Sequence, residues 1–393
     1  MRQQTTHSTP QQIRVSAALD VQAVEHELGQ LWKEHTAGAV DVEEDGAVMR
    51  ARVLNLMVYV SSQAALDEVN KLLSEITSAH PCRALVMVAQ SEQPDQDIEM
   101  FVSAHCLASG GTGSKNLCGE QVTLKARGRF TVELPSAAVP LLVPDLPVFL
   151  WWREAPRLHD QTFANLTRAS DRIVIDSAAF RRPYEEILEL VALLERQRRE
   201  HAALSDLNWA RLTSWRMLLA SFYDVAEYRP ALSSLDRVRI EYVAHELAPG
   251  VVAPKALILA GWLASRLGWR TVSQQTLSTD ETGVARIALE QDSRRIDLEF
   301  AMVERSAAMQ GWIARIELMA ESASPQKFVV LRSEDGRYLE TEVIGGGESR
   351  ASRISVGGDK SEAELLEREL EIVSHDRIYE EAITAAARML GAK

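Results

Sequence analysis

The stretch from Val48 to Ala89 constrains this chain most. Val48–Val60 alternates, setting Leu54, Leu56, Val58 and Val60 on one face, and reads as a strand. Ser62–Ala79 follows as a helix, with Ala65, Val69, Leu72, Leu73 and Ile76 at three-four spacing. His80-Pro81 stops it, because the residue before a proline resists helical angles. Arg83–Ala89 is a second apolar run. Strand, amphipathic helix and strand in that order predict a βαβ unit with parallel neighbours, and so an α/β sheet.

The flanking patterns extend that sheet. Asp20–Glu34 reads as a helix capped by Asp20. Met100–Leu107, Gln121–Ala126, Val148–Trp152 and Arg172–Asp176 read as strands, and Ala137–Leu142 and Thr162–Thr167 as short helices. Two long helices follow, Pro183–Ala203 and Asp206–Asp224. Beyond them the pattern changes. Arg237–Val243 is a strand and Pro254–Leu267 a helix with proline at its start. Alternating segments then run over Arg286–Glu290, Arg294–Val303, Gly311–Ala320, Lys327–Arg332 and Tyr338–Val343, which favours an antiparallel meander. Ser361–Leu390 closes as helix, broken near Ser374-His375. The expected class is α/β, becoming α+β in the second half. It has an N-terminal mixed sheet with flanking helices (13–180), a helical connection (181–230) and a largely antiparallel C-terminal sheet with helices (231–393).

A length of 393 residues suits two domains. Hydrophobic content of 46% and charged content of 25% exclude disorder, collagen-like repeats and a disulfide scaffold. A net charge of −13 argues against nucleic acid as a partner, which needs a positive field. The apolar runs Val53–Val60, Val139–Trp152 and Ala253–Leu267 fall short of the roughly 18–20 residues a membrane span needs. No membrane partner is expected. Residues 1–12 are polar and read as a frayed arm rather than a secretory signal. With three cysteines and no C-x-x-C, a reduced cytoplasmic chain is the expectation.

Candidate reactive groups are few. Gly110–Lys115 is glycine-rich but precedes a strand rather than a helix, so it reads as a hairpin loop and not a phosphate cradle. His80 and Cys82 straddle a proline, and His105 and Cys106 point to opposite strand faces, so no metal and no cofactor are expected. Cys82, Cys106 and Cys118 read first as buried thiols, with a Cys106–Cys118 hairpin disulfide as the redox alternative. His105 and His245 suit structural hydrogen bonds. Asp171, Asp176 and Asp206 suit caps and turns better than acid–base work. No catalytic residue is assigned.

Tryptophan and arginine concentrate in two strings. Pro144–Arg153 puts Trp151, Trp152 and Arg153 at a strand end, and Ser205–Arg216 carries Trp209, Arg211, Trp215 and Arg216. On one continuous helix, Asn208, Arg211 and Trp215 share a face. Trp and Arg dominate protein–protein hot spots, so a partner face competes with a domain seam for these residues.

LLVPDLPVFLWWR (Leu141–Arg153), LSDLNWARLTSWR (Leu204–Arg216), DRIVIDSAAF (Asp171–Phe180), HPCRALV (His80–Val86), CGEQVTL (Cys118–Leu124) and RARVLNLMVYV (Arg50–Val60) together resemble the glucose-6-phosphate dehydrogenase assembly protein family, OpcA. The resemblance is dense from Arg50 to Asp224 and continues as order of elements beyond. It implies a non-catalytic partner that promotes the active oligomer of glucose-6-phosphate dehydrogenase in the oxidative pentose phosphate pathway. It also implies a link to thioredoxin through cysteines, for which Cys82, Cys106 and Cys118 are the candidates. The expected partner-contact residues are Trp152, Arg153, Asn208, Arg211 and Trp215. The competing expectation is an enzyme or sensor for sugar phosphates or nucleotides in the α/β crevice, with Arg83, Arg153 and Lys115 on the phosphate.

Overall fold

The computed structural model describes residues 11–13, 21–37, 49–50, 52–107, 117–200, 202–243, 250–272, 276–281, 283–305, 310–320, 325–345, 348–356 and 360–392. The chain divides into two units, neither of them one consecutive stretch. The first holds Met1–Ile175, Gln197–Ser205 and Ser361–His375; the second holds Asp176–Arg196, Asp206–Lys360 and Asp376–Lys393.

The chain opens with β1 (Gln11–Ile13), α1 (Val21–Ala37), β2 (Met49–Arg50), β3 (Leu54–Val60), α2 (Gln63–Ala79), β4 (Cys82–Gln90), β5 (Gln96–Leu107) and β6 (Leu117–Arg127). Around 3-10 turns come α3 (Leu134–Ala138), β7 (Val148–Trp152), α4 (Gln161–Arg168) and β8 (Arg172–Ile175). A 3-10 turn, Ser177–Ala179, leads to α5 (Pro183–Glu200), β9 (Ala203–Asp206), α6 (Leu207–Arg211) and α7 (Thr213–Ser221). Next are β10 (Leu235–Val243), α8 (Pro254–Leu267), β11 (Arg270–Thr271), β12 (Ser278–Thr279), β13 (Ala285–Gln291) and β14 (Arg294–Val303). The end of the chain carries β15 (Ile313–Ala320), β16 (Gln326–Arg332), β17 (Tyr338–Gly345), β18 (Glu348–Val356), α9 (Glu362–Leu370) and α10 (Arg377–Met389).

The first unit holds the sheet β1-β5-β6-β4-β3-β7-β8-β9, with β2 beside β6. From β6 through β4, β3 and β7 to β8 every pairing is parallel, and β5 and β1 add antiparallel neighbours. A parallel sheet is covered on both faces, so its strands read as continuous apolar runs. In β4 every residue from Cys82 to Ala89 is buried. Ser62 caps α2 by accepting from the Ala65 amide at 3.2 Å. That helix lies close on β6, because a Cβ at Gly119 would stand 2.2 Å from Thr77 Cγ2.

The second unit holds the sheet β11-β13-β14-β10-β15-β16-β17-β18, with β12 beside β13. The expected meander is present in β13–β14 and in β15 through β18. It is interrupted by β10, which lies between β14 and β15 and runs parallel to β14. Here the strands alternate. Val238, Ile240 and Tyr242 of β10, with Leu298, Phe300, Ile316 and Leu318 beside them, are buried. The opposite parity carries charges in register: Arg286, Glu299, Arg239 and Glu317 sit opposite one another on β13, β14, β10 and β15. α8 starts at Pro254 and stops at Gly268, whose φ of 70° is the left-handed cap glycine favours. It meets α10 at Gly261, where a Cβ would come 2.1 Å from the Ala382 carbonyl oxygen.

Several expectations change. Asp206–Asp224 is not one helix: α6 ends at Arg211 and α7 starts at Thr213, with the Leu212 amide donating to Trp209 O at 3.0 Å. Val48–Val60 is two strands, β2 and β3. Among the described residues, no helix is long and apolar enough to cross a membrane.

Candidate functional site

The strand order of the first sheet reverses between β3 and β7, since β4 follows β3 on one side and β7 lies on the other. In open α/β sheets ligands gather outside the carboxyl ends of strands at such a reversal. Here that edge carries Tyr59 near the end of β3 and Ser61 after it, and Trp152 at the end of β7 with Arg153 and Glu154 after it. Tyr59 and Trp152 are register partners and stack, centroids 3.9 Å apart at 9°, with Phe163 edge-on to Trp152 at 4.8 Å. Burial, then the carboxylates of Asp160 and Glu154, hold the Tyr59 hydroxyl well above its usual range. Ser61 donates to Glu154 at 2.5 Å. Arg153 pairs with Glu68 at 3.4 Å and Glu362 at 3.2 Å, and its guanidinium lies 5.0 Å from the Trp151 ring. The edge is therefore aromatic and acidic, with its arginine committed to two carboxylates.

The opposite end of the same sheet holds Arg83, at the start of β4. Its Nε and Nη2 donate to Glu120 at 3.1 and 2.9 Å, and its Nη1 to Leu141 O at 3.0 Å and to Glu25. Glu120 also accepts from Trp32 Nε1 at 2.8 Å and pairs with Arg52 at 3.1 Å. Arg83 and Glu120 are buried, with 2% and 1% of their side chains exposed. The expectation that Arg83 contacts a phosphate beside Arg153 is corrected on two grounds. The two residues lie at opposite ends of parallel strands, and every nitrogen of Arg83 already donates. Lys115 and the loop Gly110–Ser114 lie outside the described residues.

Cys82 is buried, and burial pushes its thiol up to about 12, where it is a poor nucleophile. The backbones of Cys106 and Cys118 are direct register partners on β5 and β6; their side chains lie outside the described ones. So does that of His105, and His245 lies outside the described residues altogether.

The second tryptophan string folds around three aspartates that serve as caps. Asp176 caps the 3-10 turn at Ser177, Asp206 caps α6 and Asp376 caps α10. Asp206 is fully buried. It accepts from the Ser177 amide and hydroxyl at 2.9 and 2.6 Å, the Asn208 amide at 2.9 Å and the Tyr379 hydroxyl at 3.2 Å. Burial and then Asp176 raise its carboxyl to about 6, against the pull of those donors. Asn208 Nδ2 donates to Ser177 Oγ at 3.0 Å. Arg211 clamps Asp176 with two bonds, 2.7 and 2.8 Å. Trp209 Nε1 donates to Asp376 at 2.8 Å. In the first unit Asp171 accepts from the Val148 amide at 2.8 Å, again a structural use.

Trp152, Asn208 and Trp215 are thus buried, at 1%, 0% and 1% exposure, and give no free surface. The shared face expected of Asn208, Arg211 and Trp215 is lost with the break at Leu212. Arg153 and Arg211 are part-exposed and ion-paired. Arg216 went unselected in the sequence, although it closes the same string, because only folding shows that its guanidinium stacks 3.4 Å from the Trp209 ring. On the charged face of the second sheet a cavity of about 580 Å³ is lined by Arg237, Arg286, Arg295, Thr276 and Ser278 along with Asp297 and Glu299. Among the described residues no cluster of His, Cys, Asp or Glu has the arrangement to hold a metal ion.

Comparison with known proteins gives a consistent match. Residues 73–192 match the family profile of the glucose-6-phosphate dehydrogenase subunit N-terminal domain, and residues 202–383 that of the C-terminal domain. The OxPP cycle protein OpcA of Nostoc punctiforme is 31% identical over 324 residues, 81% of this chain and 67% of that one. That of Synechocystis sp. is 28% identical over 322 residues, 80% of this chain and 65% of that one. The chain therefore matches about two thirds of the length of these relatives. Solved structures similar to it include the aldose-aldose oxidoreductase of Caulobacter crescentus, at 11% identity, TM-score 0.44, covering 86% of this chain and 98% of that one. Another is the 3-ketoreductase KijD10 of Actinomadura kijaniata, at 10% identity, TM-score 0.46, covering 86% of this chain and 95% of that one.

Proposed function

The chain belongs to the OpcA family of glucose-6-phosphate dehydrogenase assembly proteins, and on that premise we propose that it is a non-catalytic partner that binds glucose-6-phosphate dehydrogenase and favours its active oligomer. One observation carries the reading. The strings that mark the family build internal frameworks: Arg83, Asp206 and Arg211 all have their polar atoms engaged within the chain. Groups committed in this way hold a surface in shape rather than turn over a substrate.

The mechanism is a shift of population. The protein raises dehydrogenase activity only by binding the competent oligomer more tightly than the other forms, and the difference in affinity sets the size of the effect. Trp152, Asn208 and Trp215 serve that role from inside, as supports, while Arg153 and Arg211 remain the part-exposed contact candidates of the original set. The family's thioredoxin link is assigned to Cys106 and Cys118, whose backbones face one another, rather than to the buried Cys82.

Titrating the full chain into glucose-6-phosphate dehydrogenase tests the reading, with activity and light-scattering mass followed together. Saturable gain in activity with a change in oligomer is expected. Unchanged mass, turnover and substrate affinity would remove it.

A further inference from the structure

The arginines at the sites above have carboxylate partners: Arg83 with Glu120, Arg153 with Glu362, Arg211 with Asp176. Arg216 has none among the described residues. Its Nη2 reaches the Thr213 hydroxyl at 3.1 Å and the Trp209 carbonyl at 3.5 Å, and its Nε is buried without a hydrogen-bond partner. The anion that acts on it, Asp376, is already engaged: its Oδ2 accepts from Trp209 Nε1, and its Oδ1 from the Ile378 and Tyr379 amides. Burial lowers the guanidinium pKa to about 10, with Asp376 opposing only at a distance.

A partly desolvated cation without a carboxylate partner is a cost that an anion from outside the chain can offset. The geometry is preorganised for that. Trp209 is pinned by its bond to Asp376 and by Tyr379, ring centroids 5.7 Å away, and the guanidinium lies over its ring 3.4 Å from the centroid. Its Nε is sealed from solvent and its Nη2 is already bonded, so the half-buried guanidinium offers a carboxylate its charge at the edge that remains open. Beside it, Thr213, Met217 and Ala220 are exposed at i, i+4 and i+7 along α7, and Met217 is 66% exposed. The exposed Met217 beside the cation suits a protein surface more than a small free anion.

We propose that Arg216 and the Thr213–Met217–Ala220 stripe form a docking surface whose anchor receives an acidic side chain, Asp or Glu, of the partner protein. The identity of that partner as the dehydrogenase rests on the reading above. Binding energy would come from a pair formed in a partly water-excluded corner, where truncating one member leaves the other buried and alone.

The test measures affinity of the full chain for glucose-6-phosphate dehydrogenase, with thermal unfolding of the free chain alongside. Arg216→Gln is expected to weaken binding at least tenfold while leaving the free chain as stable or more so, because it removes an uncompensated charge. Arg216→Lys should lose several-fold, since it keeps the charge without the guanidinium plane that lies over Trp209. Met217→Glu, on an exposed side chain, should weaken binding at least tenfold. Arg129→Gln, at an exposed site in the other unit, should bind as the parent does. The anchor is overturned, and the functional reading kept, if the parent binds and Arg216→Gln or Met217→Glu stays within twofold of it. It is also overturned if Arg216→Gln loses affinity only together with stability. If the parent chain itself does not bind, the functional reading and the anchor fall together.

Discussion

The two sheets place their charges in opposite ways. The first is buried on both faces along β4, and its ions sit inside: Arg83 with Glu120 at 2.9 Å, and Arg172 with Glu369 at 2.6 Å. The second covers one face and sets part-exposed ions on the other, where Arg286 and Arg239 flank Glu299 at 3.0 and 3.3 Å; only Glu317, flanked there by Arg315 and Lys327 at 2.7 and 2.9 Å, is itself buried. The contacts look alike by distance, yet their weights differ. An ion pair removed from water must be complete, because either half alone bears its desolvation uncompensated. An exposed pair exchanges one solvated state for another.

Four measurements would break or sharpen that contrast. Arg83→Met, which leaves Glu120 buried with Arg52 as its remaining cation, is expected to cost about 3–5 kcal/mol in denaturant unfolding. A loss below about 1 kcal/mol would mean the first sheet tolerates charge as the second does. Adding Glu120→Leu to that variant should recover most of the loss, because the fully buried carboxylate then goes too and the ions left behind, Arg52 and Glu25, keep contact with water; an additive loss would point to packing instead. The third concerns a buried carboxyl of the second unit. Asp206 has its carboxyl raised to about 6, so the folded chain holds that proton more tightly than the unfolded chain. Stability from this group therefore falls as pH rises between about 4 and 6, and going from pH 7 to 5 should add on the order of 1 kcal/mol. Asp206→Asn should flatten that part of the pH profile, and an unchanged slope would assign it to other groups. Smallest is Glu299→Gln, expected to cost under about 1 kcal/mol and less in high salt.

The same contrast explains what was legible in the sequence. Pro254–Leu267 was readable to the residue because its start is a proline and its stop a glycine, both local signals. The strand–helix–strand core was readable because burial on both faces leaves long apolar runs. The break at Leu212 was not, since apolar spacing continues across it. β9 was missed because Ala203–Asp206 is short and half polar, and its burial is a tertiary fact. Glu120, the partner of Arg83, lies 37 residues away on another strand. Sequence patterns name the residue types at a site, but partnership across such distances arises only when the sheet assembles. Hence Trp152, Asn208 and Trp215 stand out in the sequence by type, while their burial is settled only by the fold.

The pairing of Arg172 with Glu369 has a consequence for how the chain is made. The two lie 197 residues apart, and the segment Ser361–His375 belongs to the first unit although it is synthesised near the end. A nascent chain thus carries Arg172 through most of translation without its carboxylate, and the first unit closes only when α9 has left the ribosome. Neither unit can finish before the other has largely been made. A chain truncated before Ser361 would keep most of its residues and still present the quality-control machinery with two incomplete cores.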